Sequence, residues 1–360
     1  MKNRTIHHLS HIDLDGYSCQ LVMKSTPYTI YNYNANYGAE VKSKLIIMIE
    51  NIVKEKKSSL ILITDLNLTD DESRWLSHEV DKLNRTLKLD VKLTLLDHHG
   101  SGAQSAKKHD WYYLDTERCA TKIMYDYAKE NFEFDEPEWM CKFVDIVNAV
   151  DLWKKEQHDN FEYGKVCMRL VNETRELNRV MFANEDNDYK LTLLQEAVKY
   201  INEDDAPIVL DEKIHLIKKE FFKRGKNDTL DNLATDFVVA LLGSQRSTNT
   251  IYYKGYKGFL SYAVGNTSII GNGFLVAYPE YDFIVDISFK GAMSLRADYK
   301  VSVAQISKEW ANGGGHPNAA GGRIPHFKEQ YVYEKVKRQI ESIISDKEAM
   351  HGELEWKIEE

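Results

Sequence analysis

The chain has 360 residues, of which 43% are hydrophobic and 29% charged, and its formal net charge is -9. This length exceeds the usual size of one compact domain and predicts two, and no stretch approaches the roughly 20 apolar residues that would predict a membrane span. The acidic surplus argues against binding to long duplex nucleic acid, because proteins of that class usually present a basic stripe.

The N-terminal sequence and the cysteines indicate in which cellular compartment the protein is expected. The N-terminal sequence MKNRTIHHLS has no apolar core of the kind found in signal peptides, so it does not indicate export. The four cysteines form neither a CxxC pair nor a zinc-type spacing with histidine, which favours free thiols over disulfides. We therefore expect a cytoplasmic protein without membrane partners, and the composition leaves a homodimer open.

In chain order, the first half alternates strands with helices. Strands are predicted within residues 6–16, 58–65 and 91–97, and helices within residues 39–57, 117–131 and 137–150. A further helix begins at Thr69, an N-cap that Glu72 completes as a capping box. The tyrosine-rich stretch TPYTIYNYNANY is interpreted as strand and loop packing. This alternation predicts an α/β fold with a doubly wound, mainly parallel sheet.

The second half has a different texture. Residues 189–224 are charged and helix-prone, and Pro207 is expected to interrupt them. From about Thr235 the sequence predicts strands, such as DFVVALLG and DFIVDISF, and a final helix is predicted over residues 328–350. The predicted organisation is an N-terminal domain 1–188, a helical linker 189–232, a smaller C-terminal α/β domain 233–348 and a tail 349–360.

Acids and histidines follow three of the predicted strands. In HIDLDG, the residues His11, Asp13 and Asp15 alternate with apolar residues, so an extended chain would place all three on one face. Gly16 then permits a tight turn into a helix. Asp65 follows the apolar run LILIT.

The third strand ends in the triplet Asp97-His98-His99, and Asp151 closes a later helical run. In open parallel sheets, ligands bind at the carboxyl ends of the strands, so residues from distant parts of the sequence can meet there. Carboxylates gathered in one place would repel each other unless cations neutralised them. Carboxylate and imidazole ligands without thiolate favour Mn²⁺, with Mg²⁺ as the alternative. We expect two divalent cations bridged by one carboxylate, an arrangement suited to the hydrolysis of phosphate esters.

The motifs HIDLDG, LITD and LLDHH, followed by Asp151, resemble the successive motifs of the DHH phosphoesterase superfamily, which is named after the triplet at residues 97–99. The resemblance implies two ligand sets that share one acid: His11, Asp13 and Asp65 for one cation, and Asp15, Asp65, His98 and Asp151 for the other. It also implies that His99 faces the substrate phosphate and that Asp97 orients an imidazole.

The stretch SLRADYKVSVAQISKEWANGGGHPNAAGG is similar to the DHHA1 domain, which delivers substrate to the metals in this superfamily. Its glycine cluster lacks the Lys-Ser/Thr pair of a P-loop, but exposed backbone N–H groups can still bind an anion. Arginine and histidine in this stretch suit a phosphate and a base. The residues expected to bind substrate, in a cleft between the two domains, are Ser294, Arg296, Gly313, Gly314, Gly315 and His316.

Two assignments stay open. His11 stands where the nuclease branch of the superfamily has an acid, and only Ile12 separates it from Asp13. Asp145 competes with Asp151 as the acid of the fourth motif. We prefer Asp151 because Leu-Trp follows it, as in one branch of short-RNA nucleases.

The resemblance and the acidic surface predict an enzyme that hydrolyses very short single-stranded oligoribonucleotides, including linear dinucleotides such as pGpG, to mononucleotides. Competing substrates for the same chemistry are cyclic dinucleotides, 3′-phosphoadenosine 5′-phosphate and longer single-stranded DNA. An alternative of another class is a nucleotide-binding regulator without catalysis, and the presence of every motif acid argues against it.

Overall fold

The computed structural model describes residues 4–157 and 159–356 of the chain. They form two compact units, of which the first comprises residues 4–157, 159–174 and 184–218 and the second comprises residues 175–183 and 219–356. The chain therefore enters the second unit briefly, returns to the first, and then crosses again near residue 218.

The first unit contains a five-stranded parallel sheet with the order β2-β1-β3-β4-β5. Its strands are β1 Thr5–Ser10, β2 Ile30–Asn34, β3 Ser59–Thr64, β4 Lys92–Asp97 and β5 Tyr112–Leu114. The helices up to residue 222 are α1 Leu14–Met23, α2 Ala39–Glu55, α3 Asp70–Leu87, α4 Ala103–Ala106, α5 Ala120–Asn131, α6 Met140–Asp151, α7 Phe161–Asn172, α8 Ala183–Ala197 and α9 Ala206–Phe222.

Both faces of this sheet are covered by helices. Ile61 and Ile63 of β3 belong to a core that includes residues of α2 and α3, while Leu60 and Leu62 belong to a second core with residues of α1, α5 and α6. Successive strand residues point to opposite faces, so a strand buried on both sides is apolar throughout. The predicted doubly wound α/β architecture is therefore confirmed.

The start of α3 shows how local sequence fixes an element. Oγ1 of Thr69 accepts a hydrogen bond from the N–H of Glu72, and the Glu72 carboxylate accepts one from the N–H of Thr69. This is the predicted capping box, which satisfies two N–H groups that the first helical turn leaves without partners. Leu76, one turn later, is fully buried in the core.

The second unit contains a six-stranded sheet with the order β10-β11-β9-β8-β7-β6, in which β7 and β8 are parallel and the other pairs antiparallel. Its strands are β6 Thr250–Tyr253, β7 Tyr256–Tyr262, β8 Phe283–Ile287, β9 Ala292–Ala297, β10 Gly314–His316 and β11 Ala319–Arg323. Its helices are α10 Leu230–Ser244, α11 Arg246–Asn249, α12 Thr267–Ala277, α13 Val303–Ala311 and α14 Tyr333–Trp356.

One predicted strand is a helix in the structure. DFVVALLG lies within α10, where Thr229 caps the N-terminus by accepting from the N–H of Asn232, and Leu233 and Phe237 are buried one turn apart. The helix-prone segment 189–224 is divided next to Pro207, as predicted: α8 ends at Ala197 and α9 begins at Ala206. Pro207 lies in the first turn of α9, where a missing N–H costs no intrahelical hydrogen bond.

The last helix extends further than the sequence predicts. α14 runs to Trp356, so it includes most of the predicted tail 349–360, and residues 357–360 of that tail lie outside the described part of the chain. Among the described residues, no helix combines the length and apolar character needed to cross a membrane.

Candidate metal centre

The order of the strands brings three polar segments to one edge of the first sheet. Thr64, the last residue of β3, is paired with Ser10 of β1 and with Leu96 of β4. Asp65 therefore emerges between the segments that follow β1 and end β4. The chain leaves β1 toward β2 on one side while β3 lies on the other, and ligands of open α/β sheets bind at such a switch point.

His11, Asp13 and Asp65 form the first group at this edge. Nδ1 of His11 lies 2.8 Å from Oδ2 of Asp13 and 3.6 Å from Oδ2 of Asp65. One ligand atom from each residue lies within 4.8 Å of the others, which is close enough for all three to contact one ion.

Asp15, His98 and Asp151 form the second group. Nε2 of His98 lies 3.7 Å from an oxygen of Asp15, 3.7 Å from an oxygen of Asp151 and 3.3 Å from Oδ1 of Asp65. Asp65 thus directs one oxygen toward each group, Oδ2 toward His11 and Oδ1 toward His98. A carboxylate in this position can bridge two cations.

The first motif reaches this geometry differently from the prediction. HIDLDG does not alternate along an extended strand, because β1 ends at Ser10 and Asp13 is the N-cap of α1, accepting a 3.0 Å hydrogen bond from the N–H of Gly16. Asp15 lies in the first helical turn, which turns it away from Asp13 and into the other group. Gly16 is required by close approach, since a Cβ there would lie 2.3 Å from the carbonyl oxygen of His11.

The N-terminus of α5 fixes Asp15. Its two carboxylate oxygens accept hydrogen bonds from the N–H groups of Ala120, at 2.8 Å, and Thr121, at 2.7 Å. The first N–H groups of a helix have no intrahelical partners, and the helix dipole favours negative charge there. A side chain buried in this way cannot turn away from His98 without losing both hydrogen bonds.

The backbone conformation of Asp65 determines where its side chain begins. It adopts a left-handed conformation with φ of 58°, which aspartate tolerates better than most residues, and its N–H donates to the carbonyl oxygen of Leu96 at 3.1 Å. Its side chain is 2% exposed. Oδ2 of Asp65 and Oδ2 of Asp151 are buried and accept no hydrogen bond from the described residues. Buried oxygens of this kind need another partner.

The charges at the site indicate what that partner is. Burial and the carboxylates of Asp15 and Asp13 raise the pKa of Asp65 well above its ordinary range. Burial and Asp15 also raise the pKa of Asp151 to about 7. Burial alone would lower the pKa of His11, but the carboxylates of Asp13 and Asp65 outweigh it and raise that pKa to about 10. Divalent cations would relieve this repulsion, and the carboxylate and imidazole donors fit them.

His99 lies beside the two groups between fixed partners. Its Nδ1 is 2.7 Å from Oδ1 of Asp97, and its Nε2 is 2.8 Å from the hydroxyl of Tyr37. The other oxygen of Asp97 accepts a 2.8 Å hydrogen bond from the hydroxyl of Tyr112. A Cβ on Gly102 would lie 1.9 Å from that hydroxyl, so glycine is needed there. Asp97 is therefore hydrogen-bonded to His99 through one oxygen and to Tyr112 through the other.

The sequence did not identify Tyr37 or Tyr112. The ring of Tyr37 packs against that of His11 with centroids 4.5 Å apart, and the residue is 40% exposed. From the sequence alone, its stretch is interpreted as strand and loop packing. Gly38, with φ of 83° directly after the tyrosine and just beyond β2, is the local signal that marked a turn at the same sheet edge.

Asp151 and Asp145, the two candidates for the acid of the fourth motif, contact different residues. Asp151 is the last residue of α6 and lies with Asp15 and His98. Asp145, earlier on the same helix, is about half exposed and lies 3.3 Å from Nζ of Lys122.

In the second unit, the residues expected to bind substrate lie on neighbouring strands. Arg296 of β9 is paired with Ala319 of β11, which is paired with His316 of β10. Directly paired residues of antiparallel strands share a face, so Arg296 and His316 lie on one face about 10 Å apart along the sheet. Ser294, Gly321 and Gly314 form the next row.

Arg296 and the glycines have specific local contacts. The guanidinium donates to Oγ of Ser268 at 2.6 Å and to the carbonyl oxygen of Leu295 at 2.7 Å. A Cβ on Gly313 would lie 2.3 Å from the carbonyl oxygen of Gly321, and Gly315 has φ of 145°. These two glycines are therefore needed for the hairpin itself, whatever they bind.

The chain is similar to proteins of known name. It is 41% identical over 346 residues to a 3′,5′-cyclic-nucleotide phosphodiesterase from Helicobacter pylori (strain ATCC 700392 / 26695), a match that covers 95% of this chain and 99% of the relative. It is 22% identical over 330 residues to oligoribonuclease NrnB from Bacillus subtilis (strain 168), covering 88% of this chain and 72% of that protein.

A solved structure supports the fold. The crystal structure of an uncharacterized protein from Helicobacter pylori G27 superimposes with a TM-score of 0.90 at 41% sequence identity, covering 95% of this chain and 99% of that one. No family model matches the sequence.

Proposed function

Because the chain belongs to the DHH phosphoesterase superfamily, together with its relative of 41% identity, we propose that it is a two-cation phosphodiesterase that hydrolyses the 3′,5′-phosphodiester of small nucleotides. The observation that carries the proposal is the position of Asp65, whose two oxygens face two separate groups of ligands.

In the proposed site, His11, Asp13 and Asp65 would hold one cation, and Asp15, Asp65, His98 and Asp151 would hold the other. The mixture of carboxylate oxygens with two imidazoles favours Mn²⁺ over Mg²⁺. Bound divalent cations in such a pair supply a hydroxide nucleophile at neutral pH and stabilise the charge of the phosphate in the transition state.

The protein contributes position and hydrogen bonds. The Nδ1–H of His99 donates a hydrogen bond to Asp97, which leaves Nε2 directed at the Tyr37 hydroxyl. A phosphate oxygen of the substrate can replace Nε2 as the acceptor of that hydroxyl, and His99 that carries a proton on both ring nitrogens can donate from Nε2 to the departing oxygen. We assign Tyr37 and His99 to the substrate phosphate, with Asp97 and Tyr112 holding His99 in place.

We favour 3′,5′-cyclic nucleotides as the first substrate class. The relative with that name matches at 41% identity over nearly the whole length of both chains, whereas the oligoribonuclease matches at 22%. Both substrate classes contain the same linkage between a 3′ oxygen and a 5′ phosphate, so one metal centre can serve both.

Very short oligoribonucleotides, including linear dinucleotides, are the second candidate. They are favoured by the oligoribonuclease relative and by the row that joins Arg296 to His316, which offers a cation and an imidazole on one sheet face. We assign Ser294, Arg296, Gly313, Gly314, Gly315 and His316 to this role, with Arg296 as the phosphate contact.

The test is hydrolysis by protein stripped with EDTA and then reloaded with Mn²⁺ or Mg²⁺. Substrates are 3′,5′-cyclic AMP, pGpG, longer RNA and DNA, cyclic dinucleotides and 3′-phosphoadenosine 5′-phosphate. We expect no activity after stripping, recovery with Mn²⁺, and the highest kcat/KM for a cyclic mononucleotide or a dinucleotide. Activity that is indifferent to EDTA would remove the metal mechanism, and nucleotide binding without turnover under saturating Mn²⁺ would indicate a regulator.

A further inference from the structure

Helix α6 ends in an unusual way immediately after Asp151. Leu152 is its C-cap, and Trp153 follows in the left-handed conformation with φ of 52°. The N–H of Trp153 donates to the carbonyl oxygen of Val150 at 3.3 Å, and that of Lys154 donates to Ala149 at 2.8 Å. This pair of hydrogen bonds is the Schellman motif, in which the left-handed position normally holds glycine.

A tryptophan is a poor choice for this position on grounds of folding. Bulky residues rarely adopt a positive φ, because Cβ comes too close to the backbone. Helices α2, α3 and α13 end in the same conformation with the polar residues Lys56, Lys88 and Asn312. Strained backbone conformations cluster at active sites, and Trp153 alone among these four helix ends combines the conformation with a bulky ring beside an acid of the metal centre, which points to a function for it.

Burial does not explain the tryptophan either. Its ring meets that of Phe161 edge-on, with centroids 5.2 Å apart, but the residue remains 65% exposed. Most of a large apolar surface is therefore left in water, two residues beyond an acid of the metal centre. The end of α6 therefore presents an exposed aromatic ring two residues beyond Asp151.

Basic residues follow the ring. Nζ of Lys154 donates to the carbonyl oxygen of Glu117 at 3.2 Å, and the side chain of Lys155 is 61% exposed, 3.9 Å from the nearest carboxylate oxygen of Glu162. An exposed aromatic ring next to cations is the arrangement by which proteins bind single-stranded nucleotides, since every base can stack and every phosphate is negative.

We propose that Trp153 is a base-stacking residue of the active site, which binds the nucleobase of the nucleotide whose phosphate lies at the metal centre. The inference rests on the proposed function and deepens it, because it makes a nucleobase, and not only a phosphodiester, part of what the site recognises. The Schellman motif holds the backbone of Trp153, and the edge-on contact with Phe161 restricts its ring.

The experiment compares Trp153→Ala, Trp153→Gly and Trp153→Tyr in the Mn²⁺-loaded full chain. The substrate is whichever of 3′,5′-cyclic AMP and pApA the wild-type protein hydrolyses faster, and the base-free control is the same molecule with hydrogen in place of each base. We expect Ala and Gly to lower kcat/KM for the nucleotide about 5- to 150-fold, Tyr to retain most of it, and the base-free control to be unchanged.

The glycine variant guards against misfolding. Glycine suits the left-handed position, so its melting temperature should equal or exceed that of the wild type while its activity falls. Two results would overturn the proposal: values of kcat/KM for Ala and Gly within about twofold of wild type, or an equal loss on the base-free control.

A binding measurement separates this inference from the proposed function. AMP should quench the tryptophan fluorescence of the wild type and not that of Trp153→Tyr, and ribose 5-phosphate should quench neither. If quenching depends on Trp153 but the protein hydrolyses none of the substrates, the proposed function is contradicted and the base-binding site is supported. If hydrolysis does not depend on Trp153 and AMP causes no such quenching, the base-binding site is contradicted and the proposed function is supported.

Discussion

Replacing Asp151 with asparagine should stabilise the cation-free protein at neutral pH. Burial and the Asp15 carboxylate raise the pKa of Asp151 from 3.8 to about 7. Because the folded-state pKa lies above the unfolded-state value, the stability that the protonated Asp151 carboxyl contributes is fully present below about pH 4, and it is lost as the pH rises toward 7. Roughly three pKa units at 1.36 kcal/mol each give about 4 kcal/mol. This is an upper bound, because the side chain is 23% exposed.

Asparagine carries no charge and loses none of this stability. Without cations at pH 8, Asp151→Asn should therefore unfold at a higher urea concentration than the wild type, and its free energy of unfolding should be larger by up to about 4 kcal/mol. This difference in free energy should vanish near pH 4. Saturating Mn²⁺ should reverse the order, because the wild type gains binding free energy from a carboxylate that the variant lacks.

The measurement is urea unfolding between pH 4 and pH 8, in EDTA and then in Mn²⁺. Asp145→Asn is the matched control, since this acid lies on the same helix but is 46% exposed and paired with Lys122, so its substitution should change stability by less than about 0.5 kcal/mol at any pH. If Asp151→Asn gains no more stability than Asp145→Asn at pH 8, then Asp151 does not lie among ionised carboxylates and the second ligand group is wrong.

Three further substitutions test individual roles. Asp65→Asn keeps a residue that tolerates the left-handed backbone but removes the bridge, so kcat should fall at least 10-fold with an unchanged circular dichroism spectrum, and a smaller loss would exclude bridging. Tyr37→Phe removes the hydroxyl at 2.8 Å from His99 and should lower kcat about fivefold, the value of one hydrogen bond of about 1 kcal/mol; an unaltered kcat would place Tyr37 outside the reaction. Arg296→Ala should raise KM for a dinucleotide with little change in kcat, whereas Arg323→Ala, on the neighbouring strand, should leave both unchanged, and equal effects of the two would remove Arg296 from substrate binding.

The sequence predicted the elements whose signals are local. The capping box at Thr69 and Glu72 involves residues three apart. The apolar run before Asp65 marks a strand that is buried throughout, and the run before Asp97 marks a strand whose last three residues are buried. The convergence of the acids could be expected from the rule that parallel strands carry ligands at their carboxyl ends. That expectation required the strands to be neighbours, and the order β1-β3-β4 makes them so.

Where the sequence misled, two interpretations of one pattern competed. DFVVALLG is rich in β-branched and aromatic residues, but those residues pack as one side of α10 once Thr229 has capped the helix. HIDLDG has the alternating pattern of a strand. However, the Asp13 side chain accepts a hydrogen bond from the N–H of Gly16, and a helix begins inside the motif. In both cases a capping hydrogen bond decided between conformations that apolar spacing left equal.

The tyrosines at the site could not be assigned from local pattern, because their roles depend on contacts across the fold. Tyr37 reaches His99 from 62 positions earlier in the chain, and Tyr112 reaches Asp97 only because β5 is paired with β4. Neither partner is visible in a window of neighbouring residues.

The way each carboxylate is supported is the reason that we expect the site to depend most on Asp65. Asp13 accepts from the first turn of α1, and Asp15 accepts two N–H groups from the start of α5, so both carboxylates are compensated by helix N-termini. Asp65 has no comparable support: its Oδ2 is buried without a hydrogen bond from any described residue, and its pKa is raised by burial and by the other two acids. The carboxylate with the least support from N–H donors is therefore the one that faces both ligand groups. Loss of Asp65 should for this reason weaken the binding of both cations, whereas loss of Asp13 should weaken one.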